Sequence, residues 1–240
     1  MTAALGFYGK LPGYGDFIER HLPRSFVEQW DPWLQRSLQI SQQMLGSHWL
    51  DSYLTAPIWR FALSSGCIDS SAWLGLMIPS VDRVGRYFPL TLVQPINQQH
   101  SIANALCHNA SWFGQLESIA LACLNESPTI EAVVDVLQTL EAPELQPWNN
   151  LGAGSSIGLS VSVPGDSDVL SGNSDMSPRQ ALLLAESLLR QRAPSFSLWF
   201  SPGNGETANT LLSCDGMPAA QGFTALLTGQ WQEYNWNVIC

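Results

Sequence analysis

Two hydrophobic periods run through this chain, and their alternation predicts most of its elements. Leu5 to Gly9 reads as a short strand. Behind it, Leu11-Pro-Gly-Tyr-Gly-Asp16 is dense in turn residues, which implies a loop at a strand end. Ser25 and Glu28 have the spacing of a capping box, and Phe26, Val27, Trp30, Trp33 and Leu34 then fall on one helical face. Asp31-Pro32 predicts a kink or a restart within that helix. Strands follow at 58–63, 73–78 and 88–94. The second is apolar at both parities, as a strand covered on both faces requires.

Helical periodicity returns at 111–124, where Trp112, Phe113, Leu116, Ile119, Ala120 and Cys123 form one stripe, and at 129–140. Ile157, Leu159, Val161 and Val163 alternate with Gly158, Ser160 and Ser162, predicting a strand with one polar face near a sheet edge. Ser177 followed by Pro178, with Gln180, opens another helix that runs to residue 190. Segments 196–200 and 209–213 flank a Pro-Gly-Asn-Gly turn and read as a hairpin, and 218–227 reads as a last helix. Segments 142–155 and 164–177 are Gly-, Pro-, Ser- and Asp-rich and read as exposed loops within one domain. The expectation is an α/β fold: a single domain over 1–240, built as a three-layer α/β/α sandwich with a mixed central sheet.

Composition narrows the function classes. Charged residues are only 12% of the 240 positions while apolar ones are 45%, so a folded globule is expected. The net charge of −10 argues against binding nucleic acid or an anionic membrane surface. That charge is uneven. Residues 1–86 hold seven bases and seven acids, whereas 87–240 hold three bases and thirteen acids. Arg outnumbers Lys nine to one, which suits ion pairs and interfaces. Five scattered cysteines without a C-x-x-C pair fit reduced thiols, and neither a targeting signal nor a membrane span is apparent, so a cytoplasmic protein is expected.

Recognised reactive patterns fit poorly. Gly154-Ser-Ser-Ile-Gly158 matches a hydrolase elbow, but a strand pattern follows it where a helix is needed, and all four histidines precede it. Gly6-x-x-Gly9-Lys10 lacks the spacing and the Ser or Thr of a phosphate loop. His100, Cys107 and His108 have no zinc spacing, and Asp166, Asp168 and Asp175 lack the Gly and distal Glu of a calcium loop. No catalytic residue, cofactor or metal is expected.

One cluster stands out because the rest of the chain carries so little charge. Asp82-Arg83-Val84-Gly85-Arg86 lies between two strands, and Arg60 interrupts the apolar run Ile58-Trp59-Arg60-Phe61 on the strand face opposite Trp59 and Phe61. With Lys10 and Asp16 behind the first strand, these six residues are expected to gather at one end of the sheet. They form either a buried ion-pair network or a recognition surface on which Arg forks read carboxylate and carbonyl groups of a partner.

Several of these segments resemble the TagF (also called ImpM) family of type VI secretion-associated proteins. The resemblance lies in Gly6-Phe-Tyr-Gly-Lys-Leu-Pro-Gly-Tyr-Gly-Asp-Phe17, Arg20-His-Leu-Pro23, Trp30-Asp-Pro-Trp-Leu34, Pro57-Ile-Trp-Arg-Phe61 and Pro79-Ser-Val-Asp-Arg-Val-Gly-Arg-Tyr-Phe-Pro-Leu-Thr91. The acidic remainder matches loosely, at Ser197-Leu-Trp199 and Gly216-Met-Pro218. The resemblance implies a cytoplasmic α/β accessory protein of the secretion machine, acting as a post-translational repressor by binding a forkhead-associated scaffold protein. The phosphatase domain fused in some relatives is not expected here. Two other readings remain: a structural or assembly component of the apparatus, and a small-substrate hydrolase working near Arg60, Arg83 and Arg86.

Overall fold

Strand β4 (Ala72–Ile78) is buried at every position, and the architecture is built around that fact. The computed structural model describes residues 4–148, 178–203 and 209–238. Around β4 lie β1 (Gly6–Gly9), β2 (Ile18–Arg20), β3 (Trp59–Leu63), β5 (Leu90–Ile96), β6 (Phe196–Ser201) and β7 (Thr210–Asp215), in the order β2-β1-β5-β4-β3-β6-β7. Alternate residues of β4 serve opposite layers. Leu74, Leu76 and Ile78 face one apolar cluster, and Trp73 and Met77 face the other. The six-residue α2 (Trp49–Leu54), with α1 (Arg24–Leu45) and α7 (Phe223–Thr228), covers the Trp73 side. On the Leu74 side lie α3 (Ile102–His108), α4 (Ala110–Asn125), α5 (Ile130–Thr139) and α6 (Pro178–Arg192). The three layers match the expectation from β4's double-sided hydrophobicity.

The sheet itself differs from the expected mixed one: every pairing among the described strands is antiparallel. A parallel neighbour needs a crossover connection. The helical crossover between β5 and β6 brings β6 alongside β3 in the antiparallel sense, with Phe61 opposite Trp199. The links between β3 and β4 and between β4 and β5 hold no helix, so these strands turn straight back on each other. The predicted 196–200/209–213 hairpin is β6–β7.

Helix α1 runs unbroken through Pro32, so Asp31-Pro32 neither ends nor restarts it. Phe26, Trp30 and Leu34 are fully buried on its inner face, and this packing holds the helix across the missing amide. Its N-cap position is Pro23, which offers no side-chain cap, and Ser25 donates to Asp69 at 2.7 Å where a capping box was expected. Thr129 caps α5 by accepting from the Ala132 amide. The elements α2, α3 and β2 were not expected; each is seven residues or shorter, too brief to show a period. The strand predicted at 157–163 and the loop predicted at 164–177 lie outside the described residues, as does the second half of the 142–155 loop.

Candidate functional site

The site is assembled by two loops at one end of the sheet. β1 ends at Gly9, whose φ of +140° and close approach to the Pro89 carbonyl leave no room for a Cβ. The chain then turns through Lys10–Phe17 into β2. The second loop joins β4 to β5. Its core is a tight turn in which the Gly85 amide donates to the Asp82 carbonyl at 3.0 Å, with Gly85 at φ +85°. The loops are tied together by the Arg83 amide donating to Tyr14 O at 2.9 Å and Ser80 Oγ donating to Lys10 O at 2.7 Å. From the aromatic layer, Tyr53 Oη donates to Ser80 O at 2.8 Å.

Asp82 is the hub. Its carboxylate has no exposed surface and accepts from four donors. Lys10 Nζ and Arg86 Nε both reach Oδ2 at 2.7 Å, and the amides of Val84 and Arg86 reach Oδ1 at 3.0 and 2.9 Å. Burial opposes ionisation of Asp82, but these donors outweigh it and hold the carboxyl well below the usual carboxylate range. The side chain therefore shapes its own loop as well as closing an ion pair. Arg86 continues outward: its second nitrogen donates to Gly15 O and lies 3.8 Å from the fully exposed Asp16. That outer pair is solvated and weak.

Four of the six expected residues meet here as Lys10–Asp82–Arg86–Asp16. Arg83 joins through its backbone, while its side chain stands exposed beside them with no ion pair among the described residues. Arg60 does not join. Strand parity sends it to the α4 side, where Nε lies 2.7 Å from Glu117 and the guanidinium sits 5.1 Å from the Phe113 ring centroid.

The charge-based reading missed the aromatic half of this corner. Phe17 stacks on Tyr8 at 5.6 Å between centroids and meets Phe88 edge-on at 4.8 Å. Lys10 Nζ lies 4.9 Å from the Phe17 ring centre. Phe17 is nevertheless 44% exposed, and Val84, at the tip of the other loop, is 66% exposed. The signal in the sequence was one of position: an apolar residue directly after a Gly-rich turn, and another between two arginines. Behind Phe17, Tyr8 Oη donates to Asp31 at 2.6 Å; burial and that bond push its pKa up. Tyr14 packs the first loop onto the start of α5, where its hydroxyl accepts from the Ile130 amide at 3.0 Å.

The corner presents a rigid base with an exposed rim of two guanidinium groups and two apolar side chains. A cleft of about 340 Å³ lies elsewhere, between β7 and the chain after α7, lined by Cys214, Asp215, Tyr234 and Trp236. Burial pushes Cys214 and Cys123 each up to about 11, so neither is an activated thiol. Among the described residues no three His, Cys, Asp or Glu side chains gather to hold a metal ion. Gly154–Gly158 and Asp166, Asp168 and Asp175 lie outside those residues. No described helix is long and apolar enough to cross a membrane.

The chain is similar over 99% of its length to the crystal structure of PA0076 from Pseudomonas aeruginosa PAO1, with 34% identity, a TM-score of 0.75 and 97% of that chain covered. No curated protein matches it. A family model for the TagF N-terminal domain, type VI secretion system-associated, matches residues 6–140, a span that contains every residue of the corner. The chain belongs to the TagF family of type VI secretion-associated proteins.

Proposed function

We propose that this protein is a cytoplasmic regulator that works by binding, and that it represses secretion by holding a forkhead-associated scaffold protein of the type VI machine in a complex unable to support assembly. One observation carries this reading: the exposed rim of Arg83, Arg86, Val84 and Phe17 stands on a base already fixed by the buried Asp82–Lys10 pair. Little ordering is left to do on contact, which favours affinity. Arginine and aromatic anchors beside an apolar residue are the side chains that dominate interfaces. No reaction is required of such a protein. Repression then follows mass action, deepening as its concentration rises above the dissociation constant.

The test is capture of the purified forkhead-associated protein by wild type and by Arg83→Ala, Val84→Asp and Arg86→Ala, with thermal melting of each variant. Arg83→Ala and Val84→Asp alter only exposed side chains, so their melting temperatures stay at the wild-type value while binding falls by about tenfold or more. Unchanged binding by all three removes the corner from the interface.

A further inference from the structure

Gln94 breaks the pattern of its own strand. On β5, Leu90, Leu92 and Ile96 share its parity and are buried apolar residues of the aliphatic layer. Gln94 is only 9% exposed, and its amide has no hydrogen-bond partner among the described residues. Trp112 of α4 is the tryptophan of the same apolar cluster, 6% exposed, and its indole N–H is likewise without a partner. Both line one cleft of about 200 Å³. Leu5, Leu137 and Leu140 form its apolar walls, and Glu141 stands exposed at its mouth.

Buried amides and indoles in folded proteins nearly always find partners. Here both groups line one cleft and offer it N–H donors and one carbonyl acceptor, in a lining that mixes polar side chains with Leu5, Leu137 and Leu140. The volume is below the roughly 300–1,000 Å³ of sites that enclose a free small molecule. It suits one large apolar side chain. The position is also separate from the arginine corner: Leu5 precedes β1, whereas Lys10 follows it.

We propose that this cleft is an anchor site for an extended peptide segment of a partner. One apolar side chain of the segment fills the space between Leu5, Leu137 and Leu140. The Gln94 amide pairs with both main-chain groups of that same residue, its N–H donating to the C=O and its oxygen accepting from the N–H. Trp112 Nε1 donates to the neighbouring carbonyl. Glu141 and the C-terminal end of α5 put negative potential at the mouth, which favours a Lys or Arg next to the anchor residue. The inference does not rest on the function assigned to the arginine corner.

The experiment is a titration of the ¹⁵N-labelled full chain with N-acetyl-leucine-N-methylamide, following the Trp112 indole and Gln94 side-chain signals. Saturable shifts at both are expected, with a dissociation constant on the order of 1 mM for so small a probe. N-acetyl-glycine-N-methylamide, which keeps the main chain and lacks the anchor, binds about tenfold more weakly or worse. Gln94→Leu abolishes the Trp112 shift, and Trp112→Phe weakens the Gln94 shift about fivefold. Extending the probe with lysine tightens binding at low salt and extending it with glutamate loosens it. Shifts that never saturate, equal binding of the glycine probe, or unchanged affinity in Gln94→Leu would each overturn the proposal.

Discussion

The two helical layers of this protein are made of different material. Eight of the ten tryptophans (Trp30, Trp33, Trp49, Trp59, Trp73, Trp199, Trp231 and Trp236) belong to the α1–α2–α7 layer, and Trp112 stands in the aliphatic layer opposite. An indole can be buried without penalty only where its N–H finds an acceptor. The aromatic layer supplies those acceptors, three of the four below from distant parts of the chain and one from the loop just before β4. Trp30 donates to Thr91 at 3.0 Å, Trp59 to Leu226 O at 3.0 Å, Trp73 to Asp69 at 3.0 Å and Trp33 to Pro218 O at 2.8 Å. These bonds tie α1 and α7 to the sheet and α1 to the segment that leads into α7. In the aliphatic layer the side-chain amide of Gln94 and the indole N–H of Trp112 have no protein partner among the described residues, and both line one cleft.

The largest test of the contrast is Trp30→Ala. Trp30 packs against Phe26, Trp33, Phe61 and Trp199 with ring centroids 4.9 to 6.3 Å away, and it is fully buried. Its loss opens a cavity at the centre of the aromatic layer and strands the Thr91 hydroxyl. A destabilisation of about 3–5 kcal/mol is expected by urea unfolding. A value near 1 kcal/mol would mean that the layer repacks around the loss. The next is Thr91→Val, which keeps the shape of a buried side chain on β5 and takes away the acceptor of Trp30 Nε1. The expected cost is about 1–3 kcal/mol, the penalty of an orphaned buried donor.

A third test concerns acid. Asp82 and Gln94 are both buried polar side chains, one with four donors and the other with none among the described residues. Because the Asp82 carboxyl is held below its unfolded value of about 3.9, the unfolded chain takes up the proton first as pH falls. The stabilisation is therefore complete above that unfolded value and is lost progressively below it. Melting temperatures from pH 5 down to pH 2 should fall less steeply in Asp82→Asn than in wild type, since the asparagine has no such proton to gain. Parallel curves would show that Asp82 does not couple stability to pH.

How much of this was legible in the sequence follows from what sequence encodes locally. The double-sided burial of β4, the faces of α1 and α4, and the β6–β7 hairpin were all written in periodicity. The meeting of Lys10, Asp16, Asp82 and Arg86 was legible because scarce charge concentrated in two turn-rich loops. Arg60 misled because charge type says nothing about which layer a strand residue faces; Glu117, its actual partner, lies 57 residues away on α4. The antiparallel course of the sheet depended on where β6 returns after four helices, which is a tertiary outcome. Glu186 was invisible for the same reason. It is wholly buried and caps α3, taking bonds from Ser101 Oγ at 2.5 Å and from the Ile102 and Ala103 amides, with Arg190 beside it at 2.8 Å.

The smallest expected effect is the most discriminating. Gln94 and Thr91 lie three residues apart on β5 and point to opposite layers, so they are a matched pair of buried polar side chains on one strand. If polar burial were costly in itself, or stabilising in itself, replacing either by an apolar residue of similar size would move stability in the same direction. The bonding pattern says otherwise. Thr91 serves a buried donor, and its loss hurts. Gln94 has no protein partner among the described residues and lines an open cleft, so Gln94→Leu leaves no described group orphaned. Its urea midpoint should therefore equal or exceed that of wild type, with a change within about 1 kcal/mol. A clear loss on Gln94→Leu would mean that the amide supports the fold, and the two layers would then differ only in their aromatic content.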